Sequence, residues 1–227
     1  MIVKTYSYRY AEEILQHPKH IDAYNELIEI CRGCPIPVFA GKSTKQTSKD
    51  VVQQVMNTYF LEAFISKGWE AEPLATPNDS EDSLRSDFRK SFYTGDENSI
   101  TIQVEVEFGN VASSYRNYFK FQLSYSYDMT DICVIIVPSW HLANRIDSGV
   151  SNYEKVLREI PSAKLSITVP VLVVGLFDMD DAGSDLEIWD LKKECTQLKV
   201  VQNKNKSFTE AHIRLIKAYV ERINNLE

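Results

Sequence analysis

The segment Ser99-Ile-Thr-Ile-Gln-Val-Glu-Val-Glu-Phe108 decides the predicted fold, because apolar and polar side chains alternate along it. Alternation of this kind is typical of a β-strand, whose successive side chains point to opposite faces of a sheet. Asp87–Tyr93 alternates as well, and the turn-forming run Thr94–Asn98 separates the two segments. We therefore predict a β-hairpin with one apolar face and a second face that carries Gln103, Glu105 and Glu107.

Further elements are predicted on both sides of this hairpin. Apolar residues at helical spacing indicate two helices between residues 10 and 31, divided at Pro18, and a helix that Ser48 caps and Gly68 ends. The elements predicted after the hairpin are a helix from Ala112 to about Tyr127, strands Ile132–Val137 and Val169–Phe177, and helices Trp140–Ile146, Asn152–Glu159 and Phe208–Asn225. This order predicts an α/β fold in which helices flank a mixed central β-sheet.

The length and composition fit a single globular domain over residues 1–227. We expect an N-terminal helical part at about 10–68, a sheet core at about 85–178 and a C-terminal amphipathic helix at about 208–225. Apolar residues make up 44% of the chain, which excludes a disordered protein. The net charge of −7 argues against a surface that is basic throughout, but it allows a local basic cleft.

The cysteines and the apolar segments indicate where in the cell the protein is expected to act. Four cysteines are too few and too scattered for a disulfide scaffold. Cys31 and Cys34 have the spacing of half a zinc site, and the alternative is a pair of reduced thiols beside a proline-rich turn. The N-terminus lacks the apolar run of a signal peptide, and the longest apolar run, Val169–Phe177, is too short to span a bilayer. We expect a soluble, cytoplasmic protein.

Three acidic residues of the hairpin form the candidate site. Glu105 and Glu107 share a face because residues i and i+2 of a strand project the same way, and Asp87 begins the neighbouring strand. Carboxylates that converge at a strand end suit a hard cation such as Mg²⁺, which favours phosphoryl chemistry. The pattern alone leaves open that these acids lie on the solvated face of an edge strand.

The stretch Glu105-Val-Glu-Phe-Gly-Asn-Val-Ala-Ser-Ser-Tyr-Arg116 resembles the corresponding stretch of the type II restriction endonucleases of the BamHI, BglII and BstYI group. The resemblance continues at similar spacing through Asp131–Pro138, Val150–Glu154 and Pro170–Phe177, and more faintly through N-terminal segments such as Asn57–Trp69. The matching region is roughly residues 6–178, and its most specific part is about 100–177. The resemblance implies the PD-(D/E)xK nuclease core.

This resemblance implies roles for four acids. Asp87 and Glu105 match the two metal-binding acids of the family, and Glu107 matches the position of the usual lysine. Glu72 matches a further acid three residues after a tryptophan, with Glu70 as the alternative. The implied reaction is Mg²⁺-dependent hydrolysis of DNA phosphodiester bonds, which leaves 5′-phosphate and 3′-hydroxyl ends. In that reaction Glu107 would orient or deprotonate the attacking water.

The resemblance also implies DNA contacts just after the catalytic strand. Asn110 matches a position that meets base edges in the major groove, where an amide suits adenine or guanine. Ser113, Ser114 and Arg116 follow at the predicted helix start, where hydroxyl and guanidinium groups suit phosphate as well. We expect these four residues to contact double-stranded DNA.

The sequence departs from the family at other base-reading positions. Ala112 replaces a serine that contacts bases in BamHI, and Ser148-Gly149 stands where BamHI has an Asp-Arg pair. Arg145 and Asp147 lie just upstream and are candidates for the role of that pair in a shifted frame. We therefore expect a short palindromic target, with a GATC-like core as one option, that need not be the BamHI site.

A palindromic target implies a homodimer with two-fold symmetry. The aromatic-rich segment Tyr115–Tyr127 is the candidate interface, and the alternative is that its aromatic residues fill the core of one subunit. A cognate DNA methyltransferase would protect the host sites. The alternative functions are a catalytically inactive DNA-binding or regulatory protein of the same fold, and a structural domain with a coincidental strand pattern.

Overall fold

The computed structural model describes residues 1–43, 45–77, 84–93, 99–163, 166–193 and 216–219. Its strands are β1 (Ile2–Tyr8), β2 (Pro37–Val38), β3 (Glu70–Ala71), β4 (Phe88–Tyr93), β5 (Ser99–Val106), β6 (Ile132–Pro138), β7 (Val171–Phe177) and β8 (Trp189–Asp190). Its helices are α1 (Ala11–Leu15), α2 (Ile21–Gly33), α3 (Gln53–Ser66), α4 (Val111–Ser126), α5 (Trp140–Ile146) and α6 (Tyr153–Glu159), with a 3-10 turn at Ile160–Ala163.

Over this part of the chain, six strands form one sheet in the order β1-β7-β6-β5-β4-β3. The central strands β5, β6 and β7 are parallel, and β4 pairs antiparallel with β5 as the predicted hairpin. β1 and β3 add antiparallel edges. The predicted α/β fold with a mixed central sheet is therefore confirmed. Because β5, β6 and β7 run in one direction, the loops that follow them lie at the same edge of the sheet.

The alternation of β5 divides its side chains between two helical layers. Ile102 and Val104 are buried in a cluster that also takes residues from α2, α3 and α5. On the opposite face, Glu105 points toward α4, and the neighbouring strand β6 packs there against Phe121 of α4 and Val156 of α6. The acids are thus enclosed between sheet and helix, and the alternative of a solvated edge-strand face does not hold.

Strand β1 is an element that the sequence analysis did not predict. It occupies the edge of the sheet, where most of its residues are only half-buried, so its apolar pattern is weak. Its register runs from Ile2 opposite Phe177 to Tyr8 opposite Val171. The strand therefore forms because β7 offers a free edge for pairing, rather than because of a strong local signal.

The predicted helix cap at Ser48 is wrong. Helix α3 begins at Gln53, and its N-cap residue Val52 makes no side-chain capping bond. Val52 has an extended backbone, and the N–H of Val51 donates to Arg145 O at 3.1 Å. Tertiary hydrogen bonds hold this segment extended, so the helix starts later than the local pattern indicates.

The other predictions are either confirmed or concern residues that lie partly outside the ranges that the structure describes. The break at Pro18 is confirmed, because α1 ends at Leu15 and α2 begins at Ile21. Of the predicted C-terminal helix only residues 216–219 are described, and they are helical; its other residues lie outside the described ranges. The single domain over residues 1–227 stays a prediction. In the ranges described, no helix is both long and apolar enough to cross a membrane.

Cys31 and Cys34 are free thiols that are buried in the core at the end of α2. Burial raises the pKa of both thiols, which disfavours the thiolate form that a metal would bind. In the described part of the chain, these two cysteines do not belong to any group of three or more His, Cys, Asp or Glu side chains that could hold a metal ion. The structure thus favours packed reduced thiols over half a zinc site.

Candidate active site

Asp87 lies at the start of the hairpin, between β3 and β5. The last pair of the β4–β5 register is Phe88 with Val104, and its continuation by one residue places Asp87 opposite Glu105. Its Oδ2 accepts a hydrogen bond from Val106 N at 2.7 Å, and its carbonyl accepts one from Glu72 N at 2.9 Å. Backbone groups on both sides therefore fix the carboxylate beside β5. Burial raises the pKa of Asp87, and the charge of Glu72 adds to the rise.

Glu105 is buried at the centre of the site, with 1% of its surface exposed. Its Oε2 forms an ion pair with Lys120 Nζ, while Oε1 has no hydrogen-bond partner within the described residues. Burial, followed by the charge of Asp87, raises the pKa of Glu105 to about 8, although Lys120 and the nearby Ser86 hydroxyl oppose the rise. An unpartnered buried oxygen beside a second carboxylate is a place where a further cation is favoured.

Glu107 follows directly after β5 and is also buried, with 5% of its surface exposed. Its N–H continues the sheet by donating to Ile136 O at 2.9 Å. Oε1 accepts a hydrogen bond from Gly109 N at 2.7 Å, and Oε2 accepts one from Asn117 Nδ2 at 2.9 Å. Both carboxylate oxygens are thus held by protein donors. Burial raises the pKa of Glu107, so this group accepts a proton more readily than a solvated glutamate.

Helix α4 supplies the side chains that hold the two glutamates. Asn117 and Lys120 are three residues apart and project from one side of the helix. They reach Glu107 and Glu105, which are two residues apart on one face of the strand. Neither helix residue was predicted from the sequence. Their signal was the polar stripe Asn117, Lys120 and Ser124 at helical spacing within an aromatic-rich helix.

Glu72 lies at the rim of the site. It is exposed, and its φ of +53° places it in the left-handed region that few residues other than glycine adopt. Its carbonyl accepts a hydrogen bond from Arg85 Nη1 at 3.0 Å. The charge of Glu72 acts on the pKa of Asp87, whereas the charge of Glu70 acts on that of Arg89. This placement favours Glu72 over Glu70 as the fourth acid.

The donor set fits a hard divalent cation. In the described ranges, no three such side chains already enclose an ion position. However, burial and mutual negative charge raise the pKa of Asp87, Glu105 and Glu107, and one Glu105 oxygen lacks a donor. A bound cation would offset the negative charge of the three acids and would provide a partner for the Glu105 oxygen. Oxygen ligands from Asp87 and Glu105, with Glu72 at the rim, are the type that Mg²⁺ binds.

Two loops that are expected to contact DNA are joined beside this site. Val111 N donates to Gly149 O at 3.0 Å, and Ser151 N donates to Gly109 O at 3.1 Å. These two bonds, here called the loop ladder, tie the segment after β5 to the segment after α5. Asn110 lies between its rungs, is exposed, and caps α4 by accepting a bond from the N–H two residues on at 2.9 Å.

The other predicted DNA contacts differ in exposure. Arg116, Asp147 and Ser148 are exposed at this edge of the molecule. Ser113 lies in the first turn of α4. Ser114 is buried instead, and its hydroxyl donates to the carbonyl three residues back at 2.7 Å. The Ser114 hydroxyl therefore holds the helix start, whereas Arg116, Asp147 and Ser148 are exposed together with Asn110.

Arg145 is committed to ion pairs within the protein. Its Nε and Nη2 each donate to an oxygen of Asp50 at 3.0 Å, and its Nη1 donates to Asp178 at 2.9 Å. Lys42 and Lys49 donate to carbonyls in the last turn of α5 at 2.9 and 2.6 Å. These contacts fix the end of α5. In this structure Arg145 therefore holds the start of the loop that follows α5, and its predicted contact with DNA stays a prediction.

The site thus consists of buried carboxylates at the end of a central strand of a mixed sheet, under a helix that orients them. The family model described as restriction endonuclease BglII/BglIII matches residues 3–176 of this chain. The chain belongs to that family and is a type II site-specific deoxyribonuclease. The predicted family is thereby confirmed.

Solved structures of BglII share the fold. The crystal structure of BglII complexed with a DNA 16-mer matches with a TM-score of 0.64 and 21% sequence identity, over 80% of this chain and 79% of that chain. The crystal structure of free BglII matches with a TM-score of 0.54 and 20% identity, over 80% of this chain and 81% of the other. A comparison with curated protein sequences finds no significant match.

Proposed function

We propose that this enzyme hydrolyses DNA phosphodiester bonds at a short palindromic double-stranded site, with Mg²⁺ as its cofactor and 5′-phosphate ends as its products. The observation that carries the proposal is the buried Glu105 carboxylate, which lies opposite Asp87 and keeps one oxygen without a donor among the described residues. The matched BglII structure that contains a DNA 16-mer supports a duplex DNA substrate.

The proposed mechanism divides the work among the acids. Asp87 and Glu105 would hold the cation, with Glu72 at the rim of the site. When bound, the cation polarises the phosphate and lowers the pKa of a water molecule. Glu107 keeps one orientation because Gly109 N and Asn117 Nδ2 fix its two oxygens. Its raised pKa suits the acceptance of a proton from the attacking water.

DNA contacts are proposed for exposed groups at the edge of the sheet where β5 ends. Asn110 and Ser148, with Asp147 next to them, are exposed beside the loop ladder, and this exposure supports the proposal that they read base edges. Arg116 and the first turn of α4, which includes Ser113, suit the phosphate backbone. The recognised bases would then depend mainly on side chains of two adjacent loops.

A homodimer is proposed from the outer face of α4. The aromatic residues of this helix divide into two sets, because Tyr118 and Phe121 are buried while Tyr115 and Phe119 are 53% and 60% exposed. The exposed pair is four residues apart and forms one stripe on the helix. A second copy of the chain is the occupant that a palindromic DNA site requires. Replacing Phe119 with Glu should shift the protein from dimer to monomer in light scattering.

The biological setting is proposed from the reaction. An enzyme that cuts a short DNA site would act in the cytoplasm, together with a cognate methyltransferase that modifies the same site in host DNA. Unmethylated plasmid is therefore the appropriate substrate. Methylated host DNA should resist the enzyme.

The test is digestion of diverse unmethylated plasmids with Mg²⁺ or Mn²⁺. Discrete fragments with 5′-phosphate ends are expected, and Glu105→Ala should abolish cutting while it retains DNA binding. Glu72→Ala should slow cutting, whereas the neighbouring Glu70→Ala serves as its matched control and should not. Intact DNA with every metal would refute the proposal, and binding without cutting would favour the catalytically inactive DNA-binding protein.

A further inference from the structure

Lys120 places a buried positive charge among the acids of the site. The Lys120 side chain is 9% exposed and that of Glu105 is 1% exposed. Lys120 Nζ pairs with Glu105 Oε2 and also donates to Arg85 O at 3.2 Å. Burial of an ammonium group is unfavourable unless it is paired, and these two partners offset that cost. The lysine is therefore fixed at the catalytic carboxylate.

The four acids of the site, Asp87, Glu105, Glu107 and Glu72, bring only negative charge to it. Arg89 of β4 lies on the same face of the hairpin, but it donates to Leu74 O at 2.7 Å and to Gln103 Oε1 at 3.2 Å. Lys120 reaches the same carboxylates from α4, on the helical side of the sheet. The positive charge and the negative charges thus come from different elements that meet only in the folded protein.

We propose that Lys120 is a positioning residue for the reaction, and this inference rests on the function proposed above. Its ammonium holds Oε2 of Glu105 in place and leaves Oε1 available to a cation. It also provides, from the helix, a positive charge in direct contact with Glu105. Preorganised charges of this kind stabilise developing charge during a reaction more than they stabilise the starting state.

This role predicts two opposite effects when the ammonium is removed. A divalent cation and the ammonium both interact with Glu105, and like charges repel at close range. Loss of the lysine charge should therefore strengthen divalent metal binding. The same loss should slow the cutting step, because the preorganised charge is gone. A lysine with a merely structural role would weaken both properties together.

The experiment compares Lys120→Gln with the matched control Lys90→Gln. Lys90 is also a partly buried lysine that pairs with one carboxylate, Glu26 at 2.7 Å, and donates to one backbone carbonyl, Lys67 O at 2.6 Å. Calcium binding is measured by calorimetry on the full chain, and cutting is measured in single turnover at saturating Mg²⁺. Lys120→Gln should bind Ca²⁺ about tenfold more tightly and cut about 100-fold more slowly. Lys90→Gln should match wild type in both.

Two results would overturn the inference: weaker Ca²⁺ binding by Lys120→Gln, or cutting at the wild-type rate. If the glutamine variant does not fold, Lys120→Arg carries the test, because it keeps the charge and should keep Ca²⁺ affinity within about threefold of wild type. A larger change would refute the charge argument. Failure of the wild type to cut any DNA would instead refute the proposed function, while the Ca²⁺ measurement would still decide on Lys120.

Discussion

Raising the pH of the metal-free enzyme should lower its free energy of unfolding, because Glu105 must ionise inside the protein. Its pKa rises from 4.5 to about 8 through burial and the nearby charge of Asp87. Below about pH 4.5 the group is protonated in both the folded and the unfolded state, so it does not change the free energy of unfolding. Between about pH 4.5 and pH 8 only the unfolded chain ionises, so stability falls by about 1.4 kcal/mol for each pH unit.

The full loss from Glu105 is about 5 kcal/mol, a large part of the roughly 5–15 kcal/mol that stabilises a typical domain. Above about pH 8 both states are ionised and the contribution levels off. The pKa values of Asp87 and Glu107 are also raised, so these groups act in the same direction.

The assay is urea unfolding at several values between about pH 5 and pH 9, with chelator present, for wild type and Glu105→Gln. The comparison uses the slope of stability against pH, because the variant also leaves Lys120 without its carboxylate and so shifts the absolute value. The wild type should lose stability across this range, and the variant should have a much flatter profile. Addition of Ca²⁺ at about pH 8 should restore stability to wild type only. Equal slopes in the two proteins would refute the reasoning.

Three further predictions concern packing and positioning. Gly175→Ala should lower the free energy of unfolding by about 1–3 kcal/mol in urea, because an added Cβ would lie 2.6 Å from Tyr153 Cδ2. Asn117→Leu removes the donor that holds Glu107 at 2.9 Å, so single-turnover cutting should slow by about tenfold with DNA affinity unchanged. Arg145→Met removes the guanidinium that pairs with the buried Asp178 and leaves His141 Nδ1, at 3.0 Å, as the remaining partner of that carboxylate among the described residues, so calorimetry should show a stability loss of about 2 kcal/mol.

The sequence predicted a strand correctly where the pattern of apolar and polar residues within the segment determines which side chains share a face. The alternation over Ser99–Phe108 placed Glu105 and Glu107 on one face without any knowledge of the neighbouring elements. The apolar run Ile132–Val137 likewise predicted a buried strand, which the structure extends by one residue to Pro138. In both cases the side-chain period is a property of the segment itself.

The parts that the sequence did not predict depend on tertiary partners. β1 has a weak pattern and exists through its pairing with β7. Arg145 forms ion pairs with Asp50 and Asp178, which are remote from it in sequence. Lys120 was not singled out from the sequence, and only the packing of α4 on the sheet brings it to Glu105. The sequence alone does not indicate whether a basic residue on a helix will face solvent, DNA or a carboxylate of the same protein.

The loop ladder has a consequence for how new target sequences can arise in this scaffold. Its rungs are made entirely by main-chain groups of Gly109, Val111, Gly149 and Ser151, so they do not depend on which side chains stand nearby. The side chains at 147 and 148 are exposed and form no rung, although the Asp147 carboxylate accepts a hydrogen bond from Ser148 N at 2.7 Å. If position 148 reads bases as proposed, mutational drift or a randomised library at this position can sample different base preferences while the rungs keep the two loops joined.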